Sequence, residues 1–174
     1  MVKTARKNIR QLSLPELEQY FENLGEKKFR AKQVYDWLWL KGAGSFEAMS
    51  NLSKELRTRL NEEFTLPSLT VDTTQVSSDG TIKSRFRTSD GHLVEGVLIP
   101  AEERKTACVS SQIGCSLTCK FCATGYMERK RNLEFDEIYD EVVLINRQSE
   151  QTYGKKLTNI VFMGMGEPFA NYDR

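Results

Sequence analysis

Three cysteines fall within one short stretch, Cys115-Ser-Leu-Thr-Cys119-Lys-Phe-Cys122. Iron–sulfur clusters are held by cysteine thiolates, one to each iron. The CxxxCxxC spacing lets a single turn of chain wrap three corners of a [4Fe–4S] cubane and leave the fourth iron open. An open iron accepts a small molecule through nitrogen and oxygen. Phe121, between the last two ligands, is expected to shield the cluster from water and so tune its potential. Zinc is the alternative. Zinc sites use paired cysteine arms and four ligands, and here no second arm exists. The single histidine, His92, lies well upstream in a predicted strand. In a reducing compartment disulfides are not expected, and buried core thiols would not cluster in this way.

A second group of residues follows the cysteines. Met163-Gly-Met-Gly-Glu-Pro168 ends an apolar run. Gly164 and Gly166 allow close approach of the backbone to a ligand, and Glu167 can pair with an ammonium group. Alone, this is a strand-ending turn. Two further residues gain interest only from their company. By sequence alone Cys108 reads as a small buried hydrophobe in a strand, and Glu95 as a solvated strand residue.

The elements that must position these residues change texture along the chain. Residues 14–24 read as a helix, with Ser13 as cap, Pro15 in the first turn and Gly25 at the end. Residues 31–40 form a second, and Ser53 caps a third that runs to about Phe64. Phe46 and Met49 mark a shorter piece between them. These helices are expected to make a small bundle. Trp37 and Trp39 cannot share one helix face, so one is expected to meet a neighbouring domain or partner. After Pro67, residues 68–76, 81–88, 92–99 and 105–111 read as strands. Asp79-Gly80 and Asp90-Gly91 are hairpin turns between them. Residues 133–148 return to helical period, and residues 157–163 read as a buried parallel strand. Strand, cysteine loop, helix and strand together form a βαβ unit.

The chain has 174 residues, 39% hydrophobic and 28% charged, with a net charge of +1. That is enough for one ordinary domain or two small ones. It argues against disorder and gives no global case for nucleic-acid binding. Basic residues do concentrate locally: Lys3, Arg6, Lys7 and Arg10; Lys27, Lys28, Arg30 and Lys32; Arg129, Lys130 and Arg131. No apolar run approaches the roughly 18 residues of a membrane helix. The basic start lacks an apolar signal core, so the expected location is cytoplasmic.

Taken together, Cys108-Val-Ser-Ser-Gln-Ile-Gly-Cys115, Cys119 and Cys122, Arg131-Asn132-Leu133 and Met163-Gly-Met-Gly-Glu-Pro168 resemble the RlmN/Cfr family. These are radical S-adenosylmethionine (SAM) methyltransferases acting on adenosine in 23S ribosomal RNA. The resemblance covers most of the chain, including Val94-Glu95 and the helical region. It implies an α/β fold: a helical accessory domain (1–66) that contacts RNA, a β-hairpin connection (67–104), and the first part of a radical SAM (β/α) barrel (105–174), incomplete in this chain. A full barrel takes about 250 residues.

The resemblance further implies that Cys115, Cys119 and Cys122 hold the [4Fe–4S] cluster and that Gly166 and Glu167 bind SAM. Cys108 matches the family's second catalytic cysteine, which resolves a protein–RNA adduct, and Glu95 matches its proton acceptor. A cysteine that carries the methyl group is expected beyond Arg174, so this chain alone is expected to transfer no methyl group. The implied reaction is methylation of C2 of an adenine in 23S rRNA, and of the tRNA adenine next to the anticodon. The implied partners are these RNAs and an electron donor such as flavodoxin, with no membrane and a monomeric protein. Alternatives are C8 methylation by the sister branch, another radical SAM reaction such as glycyl-radical activation or sulfur insertion, or a zinc-stabilised RNA-binding module.

Overall fold

The computed structural model describes residues 6–172, so Lys3 of the first basic group and Arg174 lie outside the described residues. The chain divides into two compact units, with the boundary between Pro67 and Ser68.

The first unit is built on three helices, α1 (Leu14–Asn23), α2 (Phe29–Trp39) and α3 (Lys54–Glu63). A parallel pair of short strands, β1 (Lys7–Asn8) and β2 (Phe64–Thr65), ties its ends together. Ser13 and Glu16 form a reciprocal capping box that satisfies two orphan backbone donors at the start of α1. Leu17, Phe21, Val34, Leu38, Leu56 and Leu60 recur at helical spacing and form the core. Phe46 and Met49 are buried in turns rather than in a helix.

Both tryptophans are partly buried and pack against this same core. The Trp37 indole donates to Asn51 Oδ1 and lies under the Lys41 ammonium, while Arg10 sits over the Trp39 ring. The loops around α2 wrap far enough to meet both faces.

The second unit contains a five-stranded sheet ordered β3 (Thr70–Val76), β4 (Ile82–Arg87), β5 (Leu93–Pro100), β6 (Lys105–Cys108) and β9 (Asn159–Val161). Gly80 and Gly91 adopt positive φ, 85° and 87°, in the two tight turns that open this meander. β3 to β6 are antiparallel, and β9 adds to β6 in parallel. Between β6 and β9 the chain makes a short pair, β7 (Gln112–Ile113) with β8 (Arg131–Asn132), and then α4 (Phe135–Tyr153).

Helix α4 runs past the expected end at Gln148 to Gly154, which caps it in the left-handed conformation at φ 62°. It packs on one face of the sheet, where Ile145 meets Phe86, Val94, Leu98 and Ala107 in a single core. Residues 68–104 belong to this second unit. Hydrogen bonding from β5 to β6 continues the hairpins directly into the sheet that carries the cysteine loop.

The 157–163 segment is parallel as expected, but it is not buried. Ile160, Phe162 and Met163 are exposed. The reason is position: β9 is the outermost strand of the described sheet.

Candidate active site

Residues 109–112, which leave the end of β6, organise the site. Val109 N–H donates to Val161 O at 2.9 Å, and Gly164 N–H donates back to Val109 O at 3.0 Å. Ser111 and Gln112 N–H both reach Met165 O, at 2.9 and 3.2 Å. The Ser110 hydroxyl accepts from Met165 N–H at 2.9 Å and donates to Glu95 O at 2.7 Å. Buried Gln112 accepts from Glu167 N–H at 3.1 Å and donates to Asn132 Oδ1 at 2.8 Å. The Gly-Met-Gly-Glu run is thus laid against residues 109–112, atom by atom.

This close approach explains both glycines. A Cβ on Gly164 would stand 2.7 Å from Ser110 Oγ and Val109 O. Gly166 has φ 93°, and a Cβ there would stand 2.5 Å from Gln112 Cβ. Glu167 caps the following short 3₁₀ turn (Pro168–Asn171), its Oε1 accepting from Phe169 N–H at 3.0 Å.

Cys108 and Glu95 stand on one face of the sheet. Cys108 is paired with Val97, and Glu95 lies two residues further along β5. Side chains alternate across a strand, so both point away from α4 as diagonal neighbours. The intervening Gly96 faces the helix side, where an added Cβ would touch Ile145. Burial pushes the Cys108 thiol up, the Met163 backbone N–H works against this, and the Glu141 carboxyl adds to the rise. The Glu95 carboxylate is half-exposed and ion-paired with Lys83 at 2.7 Å.

The cysteine loop lies between β7 and β8. Cys115, Cys119 and Cys122 are free thiols, each partly exposed. Leu117 N–H donates to Cys115 Sγ at 3.4 Å. Backbone N–H groups of Gly125 and Thr124, together with the Thr124 hydroxyl, hold the Cys122 thiol below its ordinary range. At Cys122 this favours thiolate, the form that binds iron. Phe121 is 94% exposed, so it stands in solvent and does not cover the loop as expected from its place between two ligands.

Among the described residues no three His, Cys, Asp or Glu side chains converge closely enough to hold a single metal ion. A cubane makes a different demand, because each thiolate binds its own iron. The donor set, three accessible thiols with backbone N–H groups aimed at two of the sulfurs, fits such a cluster.

The Arg131 guanidinium anchors the exit of the loop. It bonds Asp90 of the β4–β5 turn and Glu137 in the first turn of α4, at 2.6–2.9 Å. These bonds hold Asp90 well below the usual carboxylate range. Of the third basic group, then, Arg131 is structural.

Sequence reasoning missed Ser110, Gln112, Lys83 and Glu141. The first two lie inside the motif that carries the resemblance. Glu141 had its own signal: it sits three residues after Ile138 and four before Ile145, on the apolar face of α4. Its side chain is fully buried, Oε2 accepts Ser110 N–H at 2.9 Å, and Oε1 has no partner among the described residues.

Burial holds the Glu141 carboxyl well above its ordinary 4.5; the Ser110 N–H opposes that rise and Glu137 adds to it. The folded state therefore keeps a proton that the unfolded chain loses above pH 4.5. This group favours the fold below that pH and weighs against it as pH rises toward the folded pKa. Glu141→Gln, a neutral isostere, is expected to match the parent near pH 4.5 and to gain on it at higher pH. The relative gain is about 1 kcal/mol per pH unit until the folded carboxyl itself ionises. Urea melts of both proteins from pH 4.5 to 8 measure the difference.

Residues 7–66 match the ribosomal RNA large subunit methyltransferase N-terminal domain. Over 96% of its length and 49% of the other chain, the protein superposes on the crystal structure of a radical SAM methyltransferase from Sphaerobacter thermophilus, with a TM-score of 0.84 and 42% identity. The fold is a mixed α/β fold like that of part of this radical SAM methyltransferase. Among curated relatives, the probable dual-specificity RNA methyltransferase RlmN of Cytophaga hutchinsonii is 62% identical over 96% of this chain and 46% of the relative. The dual-specificity RNA methyltransferase RlmN of Anaeromyxobacter dehalogenans is 50% identical over 95% and 45%. The chain belongs to the RlmN family, and it spans about half the length of the curated relatives it matches.

Proposed function

We propose that this chain supplies the cluster loop and one wall of the active site of a radical SAM RNA methyltransferase that modifies C2 of adenine in 23S rRNA and in tRNA. The observation that carries the reading is the docking of the Gly-Met-Gly-Glu run on residues 109–112, one turn ahead of the cysteine loop and beside Cys108. Cys115, Cys119 and Cys122 would hold a [4Fe–4S] cluster, and Gly166 and Glu167 the SAM. Together these groups would supply one-electron chemistry at carbon, which an unactivated adenine C–H requires.

The chain's own residues do the rest. Glu95 takes the proton released when the ring carbon exchanges hydrogen for methyl. Cys108, held mainly as a thiol, is the sulfur that releases the product from a covalent adduct. Residues 1–66 form the RNA-contacting accessory domain, 67–104 lead from it, and 105–174 open the barrel. A base within folded RNA must leave its stack to reach such a site. The reading places the protein in the cytoplasm as a monomer served by an electron donor such as flavodoxin. Among the described residues no helix is long and apolar enough to cross a membrane.

The test is product analysis. The chain is completed with the remaining part of the Cytophaga hutchinsonii relative, reconstituted anaerobically, and given rRNA, SAM and reductant. Nucleosides are then analysed by mass spectrometry. C2-methyladenosine is the expected product, and none is expected from the 174-residue chain alone. C8-methyladenosine would assign the sister activity, and no product from a cluster-loaded protein would overturn the reading.

A further inference from the structure

The sheet face that carries Glu95 and Cys108 also carries a row of cations. Lys83, Arg85 and Arg87 are exposed at alternate positions of β4. Arg85 stands directly opposite Glu95 in the register and would be its natural partner. It is taken elsewhere. Asp72 of β3 binds Arg85 Nε at 2.7 Å and also binds the Arg87 guanidinium. Those two hydrogen bonds, Arg87's the larger in effect, hold the Asp72 carboxyl below its ordinary range. Glu95 is left to the diagonal neighbour, and Lys83 Nζ meets its Oε2 at 2.7 Å.

The exchange of partners matters chemically. A guanidinium grips a carboxylate with two parallel bonds and occupies both oxygens. An ammonium is a point charge and can hold one. Here it holds Oε2, and among the described residues Oε1 has no hydrogen-bond partner. One oxygen is paired and the other is unpaired among the described residues, on the sheet face that also carries Cys108.

We propose that Lys83 is a positioning residue for the methyl transfer, orienting the Glu95 carboxylate so that its free oxygen accepts the ring proton. This rests on the functional reading above. In the step itself, hydrogen leaves the substituted adenine carbon as a proton and bonds to Oε1. The C–H electron pair stays with the ring, the carboxylate becomes a neutral acid, and Lys83 keeps its charge. Asp72 serves the same end from a distance, by keeping Arg85 off Glu95.

The test is a double-mutant cycle in the completed protein described above, with single-turnover rates and KM for RNA measured in each variant. Lys83→Met is expected to slow the chemical step about tenfold, a fraction of the 10²–10⁴ that a positioned base contributes, with KM nearly unchanged. Glu95→Gln is expected to slow it more. The double variant should be no slower than Glu95→Gln alone, since Lys83 acts only through Glu95.

If Glu95→Gln reacts like the parent, the functional reading of Glu95 fails, and this proposal with it. A slow Glu95→Gln beside a Lys83→Met at parental rate overturns the proposal alone. So does a rise confined to KM, which would make Lys83 a phosphate contact, or a multiplicative loss in the double variant. A further measurement needs only the 174-residue chain. Acylation of Lys83, read by peptide mass spectrometry, should rise severalfold in Glu95→Gln, and equal labelling would overturn the ion pair on which the proposal stands.

Discussion

Serine in place of any one of Cys115, Cys119 or Cys122 is expected to cut bound iron from about four per chain to less than one and to abolish product in the completed protein. The hydroxyl stays protonated at neutral pH and is a hard oxygen donor where iron–sulfur chemistry uses soft thiolate. Three protein ligands leave no spare, so one loss opens a second iron to solvent. Cys108→Ser makes the contrast. Cys108 is buried on the sheet, outside the loop, so this variant should load iron normally and yet yield no free product. Iron and sulfide assays after anaerobic reconstitution, with circular dichroism to verify folding, separate the two results. A Cys119→Ser protein that retains a full cluster would remove the basis for a three-cysteine site.

The second large effect falls on stability. Gly166→Ala is expected to cost about 3 kcal/mol, because it combines two penalties. A non-glycine residue at a φ of 93° is strained by about 1–2 kcal/mol. The new Cβ also falls 2.5 Å from Gln112 Cβ and 2.8 Å from its backbone nitrogen, and neither can retreat without breaking the Met165 and Glu167 hydrogen bonds. Gly91→Ala isolates the first penalty. Its φ is 87°, but no atom lies within 4 Å of the added carbon, so it should cost only about 1 kcal/mol. Guanidinium melts of the two variants give the comparison, and equal losses would show that the Gly166–Gln112 contact is soft.

The parts of this molecule that could be read in advance are those set by neighbours in sequence. Ser13 and Glu16 cap a helix because they are three residues apart. Asp79-Gly80 and Asp90-Gly91 turn because glycine tolerates positive φ. The three cysteines lie on one loop between β7 and β8, as their nearness in sequence requires. What escaped depends on partners that only the folded sheet brings together. Whether Lys83 or Arg85 reaches Glu95 is decided by Asp72, on a third strand. Glu141 was hidden by its charge, since a carboxylate on an apolar stripe is ordinarily read as a breach of the pattern rather than as a buried acid bonded to Ser110. Composition suggests a buried 157–163 strand, but composition does not say which strands flank it, and among the described residues β9 has a neighbour on one side only. Phe121 misled in the same way, because proximity in sequence to two cysteines does not fix where a ring points.

The parallel pairing of β6 with β9 bears on the order of folding. Thr106 and Asn159 are 53 positions apart and hydrogen-bond at 3.0 Å, so this contact closes a long loop that contains the cysteines and α4. The β3–β6 meander needs only short closures and is expected to zip first. Docking of β9 must await the whole intervening segment, which makes it the slow step. Residues 163–167 reach Ser110 and Gln112 only after that docking, so the pocket wall matures last. Thiols on a nascent chain are therefore open to metallation before the wall is in place.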